Sequence, residues 1–300
     1  MTELRIKIVG ADSFGSRSMA TVVDAGGVKI FVDPGVSFAP RRYGLPPHPL
    51  ELKRLEEIRE QIYRELEDTD MVVVTHYHYD HYLYHGDEAE FYRGKVLLVK
   101  HPTHDINVSQ RIRAHRLLKR NRVAELAKEV VYIDDNVYVV DRGLEIRGSP
   151  PMPHGPDSTK LGYVVMVMIR CCDSSFVHAS DIQGPISSRP LAVLRDWRPD
   201  IVFLSGPPTY FDGYKIDVES VEKGLENLKM LCNLARDMVI ADHHFARDIE
   251  YPRHLETLRA SCKRILSAAE FMGVSYEPLE ALRKELWRSS KETTDSDRAS

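Results

Sequence analysis

The order of elements along the sequence predicts an α+β sandwich. Two observations carry this. Short β-branched runs come in series at the start of the chain and again in its middle, and helical periodicity punctuates and follows them instead of alternating regularly with single strands. The chain has 300 residues with no internal repeat and no linker-like stretch, so the pattern reads as a single domain over residues 1–288.

Arg5–Val9, Ala20–Asp24 and Val28–Val32 are apolar runs punctuated by Gly10, Gly26-Gly27 and Pro34-Gly35, the pattern of a strand meander. Arg41–Pro49 is a loop with three prolines. From Leu50 to Leu66 the residues Leu52, Leu55, Ile58, Ile62 and Leu66 recur at three and four, which predicts an amphipathic helix. Met71–Val74 and Lys95–Lys100 read as strands, Val108–Lys128 as a helix. Val131–Val140, Leu144–Arg147, Tyr163–Ile169 and Ser175–Ala179 read as strands, as do Ile201–Leu204 and Met238–Ala241. Ser220–Ala235 and Ile249–Met272 read as helices and Pro278–Trp287 as a last short one. Residues 289–300 are polar without apolar anchors, which predicts a disordered tail.

Lysine plus arginine is 41 against 45 aspartate plus glutamate, a net charge of −4 that gives no global attraction to nucleic acid or acidic membranes. No apolar run is long enough to span a bilayer and the first residues lack an apolar signal core, so no membrane contact and a cytoplasmic location are expected. Cys171, Cys172, Cys232 and Cys262 form no C-x-x-C pair, and neighbours in sequence bridge each other only with strain. They read as buried or idle thiols in a reducing compartment.

The stretch Val72–Asp87, VVVTHYHYDHYLYHGD, places His76, His78, Asp80 and His81 directly after the apolar run Met71–Val74. Residues two apart in an extended segment leave the same face, so His76 and His78 aim together. Asp80 and His81 follow where the backbone can turn toward a second point. Imidazole nitrogens and a carboxylate suit Zn²⁺, and also Fe or Mn. Two neighbouring ions can hold a hydroxide between them and stabilise both attacking and leaving oxygens. The bland alternative is a solvated histidine-rich loop, and the strand that feeds the motif argues against it.

The run Thr75–His81, THYHYDH, resembles the signature of the metallo-β-lactamase superfamily, and four further stretches are similar to that superfamily's ordered motifs. These are KIFVDPG with Asp33, PPMPHGPDS with His154, SFVHASDIQG with Asp181, and MVIADHHFARD with His243 and His244. Asp12–Ser18, Asp33–Val36, Arg41–Pro49 and His76–His81 together resemble an archaeal branch of that superfamily. The resemblance implies a four-layer αββα sandwich with two divalent metal ions at one edge. It implies that His76, His78 and His154 hold the first ion, and that Asp80, His81 and the final histidine hold the second. Asp181 would bridge them, and Asp33 would hydrogen-bond a ligand histidine from behind. Asp80 and Asp181 are the carboxylates the resemblance implicates in catalysis. The run His244-Phe245-Ala246-Arg247 is similar to the H-F-S-x-R run of the tRNA 3′-processing endonucleases. This favours His244 as the last ligand and leaves His243 behind it or in the core.

Other polar residues carry a functional and a plain reading side by side. Asp12, Ser13 and Arg17 lie in a glycine-containing loop that either contacts substrate or satisfies its own backbone. Tyr210 and Arg247 either stabilise an anionic oxygen or brace the fold. His101 and His104 read as capping a strand-to-helix loop, and His178 as packed, since its odd offset from Asp181 turns it to the other face. Arg111, Arg113, Arg116, Lys119, Arg120 and Arg122 form either a phosphate-tracking helix or a merely solvated one, the second being the commoner case.

The function these residues imply is binuclear metal-dependent hydrolysis with a metal-bridging hydroxide, two ions (Zn²⁺, or Fe or Mn), and a weak leaning to a phosphodiester or nucleic-acid substrate. A di-iron redox protein is the first alternative, although no G-x-G-x-x-G follows a strand to hold an electron-delivering cofactor. A metal-stabilised binding protein without catalysis is the second.

Overall fold

In the computed structural model of the chain, which describes residues 4–140, 143–211 and 216–299, the strands gather into two large sheets and a short ribbon. The first sheet holds β1 (Leu4–Ile8), β2 (Thr21–Ala25), β3 (Val28–Val32), β4 (Met71–Val74), β5 (Val96–Val99) and β6 (Glu129–Tyr132), side by side in chain order. β1 to β3 form the expected antiparallel meander, and every pair from β3 onward is parallel. β4 and β5 are apolar and buried at every position, as parallel strands covered on both faces require.

The chain then enters the second sheet with β7 (Val137–Val140) and β8 (Leu144–Gly148), and makes a ribbon of β9 (Met152–Pro153) and β10 (Tyr163–Val164). β11 (Val167–Cys171), β12 (Ser174–His178), β13 (Ile201–Ser205), β14 (Met238–Asp242) and β15 (Ile265–Leu266) complete that sheet in the order β15-β14-β13-β12-β11-β8-β7. Its side chains alternate with period two. Ile169, Phe176, Phe203 and Ile240 pack into the core shared with the first sheet. Met168, Val177, Val202, Leu204, Val239 and Ala241 pack into the other core, beneath helices.

Helices cover both outer faces. α1 (Pro49–Glu67) opens with a capping box between His48 and Glu51 and buries Leu55, Ile58, Ile62 and Leu66 in the first core. α2 (Val108–His115) and α3 (Val123–Leu126) lie between β5 and β6 in sequence. α4 (Arg189–Trp197), α5 (Val218–Leu234) and α6 (Tyr251–Arg259) contribute Leu191, Leu194, Leu228, Leu231, Leu255 and Leu258 to the second core. α7 (Ala268–Met272) and α8 (Arg283–Ala299) end the chain. This is the αββα sandwich.

Several boundaries differ from the periodicity. The run 131–140 is two strands in two different sheets, because Asp134, Asp135 and Asn136 turn the chain across the sandwich, with Asp135 at φ 48°. The run 163–169 likewise belongs partly to β10 and partly to β11. The helix expected over 108–128 breaks at Arg122, whose φ is 57°, after a π-turn at Arg116–Arg120. The helix expected over 249–272 is α6, then β15, then α7, which starts at its own capping box of Ser267 and Glu270. The last helix begins at Arg283 and runs to Ala299, through a stretch expected to lack order, while Ser300 lies outside the described residues.

Cys232 and Cys262 form a disulfide across 30 positions, with Cα atoms 5.8 Å apart. This corrects the reading of all four cysteines as idle thiols, and the thiol argument for a cytoplasmic location falls with it. The pair was invisible in spacing because α5 and the end of α6 meet only once β14 is in place. Cys171 and Cys172 form no disulfide, and their sulfurs lie 3.5 Å apart. Among the described residues no helix is long and apolar enough to cross a membrane.

Candidate metal centre

The polar cluster forms where strands of both sheets end. β3 delivers Asp33, β4 delivers the run Thr75–His81, β12 leads to Asp181, β14 leads to His243 and His244, and the loop after β9 carries His154. Three of these exits pass through a left-handed residue other than glycine: Asp33 at φ 51°, Ser180 at 55° and His243 at 54°. Each such residue costs about 1–2 kcal/mol, so the surrounding contacts must hold the exits in place. One contact is visible at Gly35, where a Cβ would stand 2.2 Å from the Tyr82 amide nitrogen and 2.5 Å from that of His81. Only glycine lets the Asp33 loop lie against that backbone.

Four groups of ligand-type atoms converge, each with all its atoms within 4.8 Å of one another. His76, His78, His154 and Asp181 form one, Asp80, His81 and His243 another. Asp181, His243 and His244 form a third, and Asp33, His76 and His81 a fourth. Asp181 joins the first to the third. Its Oδ2 lies 2.9 Å from His154 Nε2, 3.5 Å from His81 Nε2 and 3.8 Å from His76 Nε2. Its Oδ1 lies 3.5 Å from Nε2 of both His243 and His244. Asp80 Oδ2 is 3.6 Å from His243 Nε2. His76, His81, His154, Asp181 and His243 are all buried.

Behind the cluster, carboxylates hold two of the imidazoles. Asp33 Oδ2 is 2.8 Å from His81 Nδ1, and both oxygens of Asp33 accept hydrogen bonds from Thr75. Asp12 Oδ2 is 2.7 Å from His243 Nδ1, while its Oδ1 accepts from Arg247 Nε at 2.6 Å. The sequence leaves Asp12 between a substrate contact and a self-satisfied turn, and gives no sign of Gln183, whose side-chain nitrogen is 3.3 Å from His154 Nδ1. Gln183 had no signal beyond its place two residues after Asp181. Arg247 also reaches His244 Nδ1 at 3.2 Å, as does the Tyr210 hydroxyl. Arg17 lines the cleft, paired at 2.6 and 2.7 Å with Glu280. His178 is packed as expected, bonded to the Met19 carbonyl, and the His101 ring accepts from the Thr103 and His104 amides.

Electrostatics divides the imidazoles. Burial and the neighbouring imidazoles push His76 and His78 well down. Against burial, the Asp33 carboxylate holds His81 well up. Despite burial and Arg247, the carboxylates of Asp181 and Asp12 raise His243 to about 9. Burial and Arg247 lower His244 to about 3. Burial would raise both Asp80 and Asp181, but His81, His243 and Arg247 hold Asp80 low, and His243 with the facing His154 and His244 rings holds Asp181 well below the carboxylate range.

The Arg17–Glu280 pair gives a pH prediction. Burial alone would raise Glu280, but Arg17 holds it at about 2 against an ordinary 4.5. A depressed carboxylate contributes stability that is whole above its ordinary value and fades as the pH falls through the folded one. Wild type should therefore lose roughly 3 kcal/mol more than Glu280→Gln between pH 5 and pH 2. Urea unfolding of both proteins across that range reads it, and parallel losses would sink the assignment.

Fold and cluster together define a class, the metal-dependent hydrolase fold with groups of histidine and aspartate at the strand ends. Residues 15–243 match the profile of the Metallo-beta-lactamase superfamily, and the chain belongs to that superfamily. In fold it is similar to Tm1679, a metal-dependent hydrolase of the beta-lactamase superfamily, with a TM-score of 0.51 at 14% identity over 88% of this chain and 96% of that one. Yeast PDE1 gives 0.53 at 13% over 89% and 99%. Zn²⁺-bound PqqB from Methylobacterium extorquens gives 0.53 at 11% over 88% and 98%. Much closer in sequence are archaeal relatives. The UPF0282 protein of Aeropyrum pernix is 45% identical over 96% of this chain and all of its own length. UPF0282 protein MK0213 of Methanopyrus kandleri is 39% identical over 94% and 99%. These relatives bear out the likeness of the chain to an archaeal branch of the superfamily.

Proposed function

We propose that the chain is a binuclear metallohydrolase of phosphodiesters, with Asp181 as the ligand shared by two ions. The observation that carries this is the placement of the two Asp181 oxygens, one toward His154, His81 and His76 and the other toward His243 and His244. The donor set fits such ions. Among the described residues, His81 Nε2, His154 Nε2 and Asp181 Oδ1 are buried without a hydrogen-bond partner, as ligand atoms would be. Imidazole with carboxylate suits zinc, and also iron or manganese. His76, His78 and His154 would hold one ion, Asp80, His81 and His243 the other.

The choice of His243 over His244 rests on tautomers. A carboxylate only accepts, so Asp12 favours the proton of a neutral His243 on Nδ1; the Nε2 lone pair then faces Asp80, Asp181 and the Arg247 Nη2, which stands 2.9 Å away and would have to give way to an ion. A guanidinium only donates, so Arg247 makes His244 Nδ1 the acceptor and puts the proton of a neutral ring on Nε2. Asp33 acts on His81 as Asp12 acts on His243. For His154, a half-turn of the Gln183 amide presents its otherwise partnerless Oε1 to Nδ1, with the same result.

Bound there, two divalent ions would supply Lewis acidity and a water activated near neutral pH. The chain's own part is to exclude water, hold the ligands and place cations. His244 is backed by Arg247 and Tyr210 at the cleft, where it can orient an anionic oxygen of the substrate. His243→Ala should hold about one ion per chain and His244→Ala about two, counted by elemental mass spectrometry. Equal losses would sink the tautomer argument. Wild type assayed on bis(p-nitrophenyl) phosphate and on ester and thioester panels tests the bond. Hydrolysis of esters alone would overturn the phosphodiester, and iron with visible absorption and no hydrolysis would overturn the reaction class.

A further inference from the structure

The basic run after β5 borders the metal-type cluster. Arg111, Arg113, Arg116, Lys119 and Arg120 make no ion pair among the described residues, whereas Arg17 and Arg247 in the same region are neutralised by Glu280 and Asp12. Two of the unneutralised cations converge on one ring. The Arg113 guanidinium lies 4.4 Å above the Tyr79 ring, and Arg116 donates to the Tyr79 hydroxyl at 3.3 Å. Tyr79 sits between His78 and Asp80 in sequence, and its ring is 4.3 Å from that of Tyr84. Tyr79, Tyr84 and Arg113 line an open cleft of about 440 Å³ together with His78, Asp80 and Asp181, and Arg116, outside that lining, adjoins it through the Tyr79 hydroxyl.

Such an arrangement suits an anion beside the reacting one. The Arg113 guanidinium lies on the aromatic face with Nη1 donating to the Tyr77 carbonyl at 3.3 Å, which leaves Nε and Nη2 for an anion, and it makes no ion pair among the described residues. Aromatic rings beside cations without an ion pair, at the edge of a cleft, are the pattern that tracks a single strand, with bases stacked on the rings and phosphates on the cations. We infer that Arg113 and Arg116, braced on Tyr79, form a subsite for a phosphate flanking the scissile one, so that the substrate is a single-stranded oligonucleotide.

This rests on the phosphodiester reading, and the test separates the two. Fluorescence anisotropy of 5′-labelled decathymidylate, measured with wild type at several KCl concentrations, gives the affinity and its salt slope. Arg113→Gln and Arg116→Gln should each weaken binding about tenfold and lower the magnitude of the slope by about 0.7, one phosphate on a single strand. Arg113→Lys should keep the slope, which a merely structural role would not require. No binding by wild type at low salt, or unchanged slopes in both glutamine variants, overturns the subsite. Hydrolysis of bis(p-nitrophenyl) phosphate, which has no second phosphate, tests the underlying reading alone. Slopes that fall as expected without hydrolysis support the subsite while overturning the hydrolase.

Discussion

Asp181→Asn should yield a folded chain that retains about one metal ion or fewer and loses hydrolysis on the order of a thousandfold. Both oxygens of Asp181 face imidazole nitrogens on opposite sides, so neither can be replaced by an amide nitrogen without turning a donor toward a ligand position. Asp33→Asn is the graded comparison. It meets His81 from the rear, along with the Thr75 amide and hydroxyl, and should weaken loading about 10–100-fold with both positions still fillable at excess metal. Elemental analysis and rate measurements on the two variants check this. A full complement of ions in Asp181→Asn would remove the shared-ligand assignment.

The second large effect is expected in stability. Arg247 is fully buried, its Nε 2.6 Å from Asp12 and its Nη2 3.6 Å from Asp80. Removing one partner of a buried pair strands the other charge, so Arg247→Met should cost about 3–5 kcal/mol. Asp12→Ala should cost a similar amount, and the double variant well under the sum, because the stranded charge is gone. Urea unfolding of chelator-treated protein closes that cycle, and additive single losses would mean the pair is not a unit.

Legibility followed sequence distance and periodicity. The run of His76, His78, Asp80 and His81 was readable because six positions of chain carry it, and the strand before it because four apolar residues fix a buried parallel strand. Asp33, His154 and Asp181 came through motifs that mark strand ends and a loop. Asp12 did not, because its meaning lies in Arg247, 235 positions away, and in His243. The run His244–Arg247 favours His244 as the last ligand, and nothing in the sequence shows that the chain turns through a left-handed His243 at that point, with Asp12 beside that ring. The Cys232–Cys262 pair and the crossing between β6 and β7 likewise depend on which sheet a segment joins. Residues 131–140, two apolar ends around Asp134-Asp135-Asn136, mark a turn but not a change of sheet.

The strand exits of the two sheets meet at one place. Asp33 and the run His76–His81 come from the first sheet, Asp181 and His243 from the second. An ion held by both would therefore act as a rivet through the sandwich as well as a reagent. Its binding energy would be added to the work of parting the two layers. The sheets would then breathe apart only by emptying the centre, and durability and reactivity in this protein would rise and fall together.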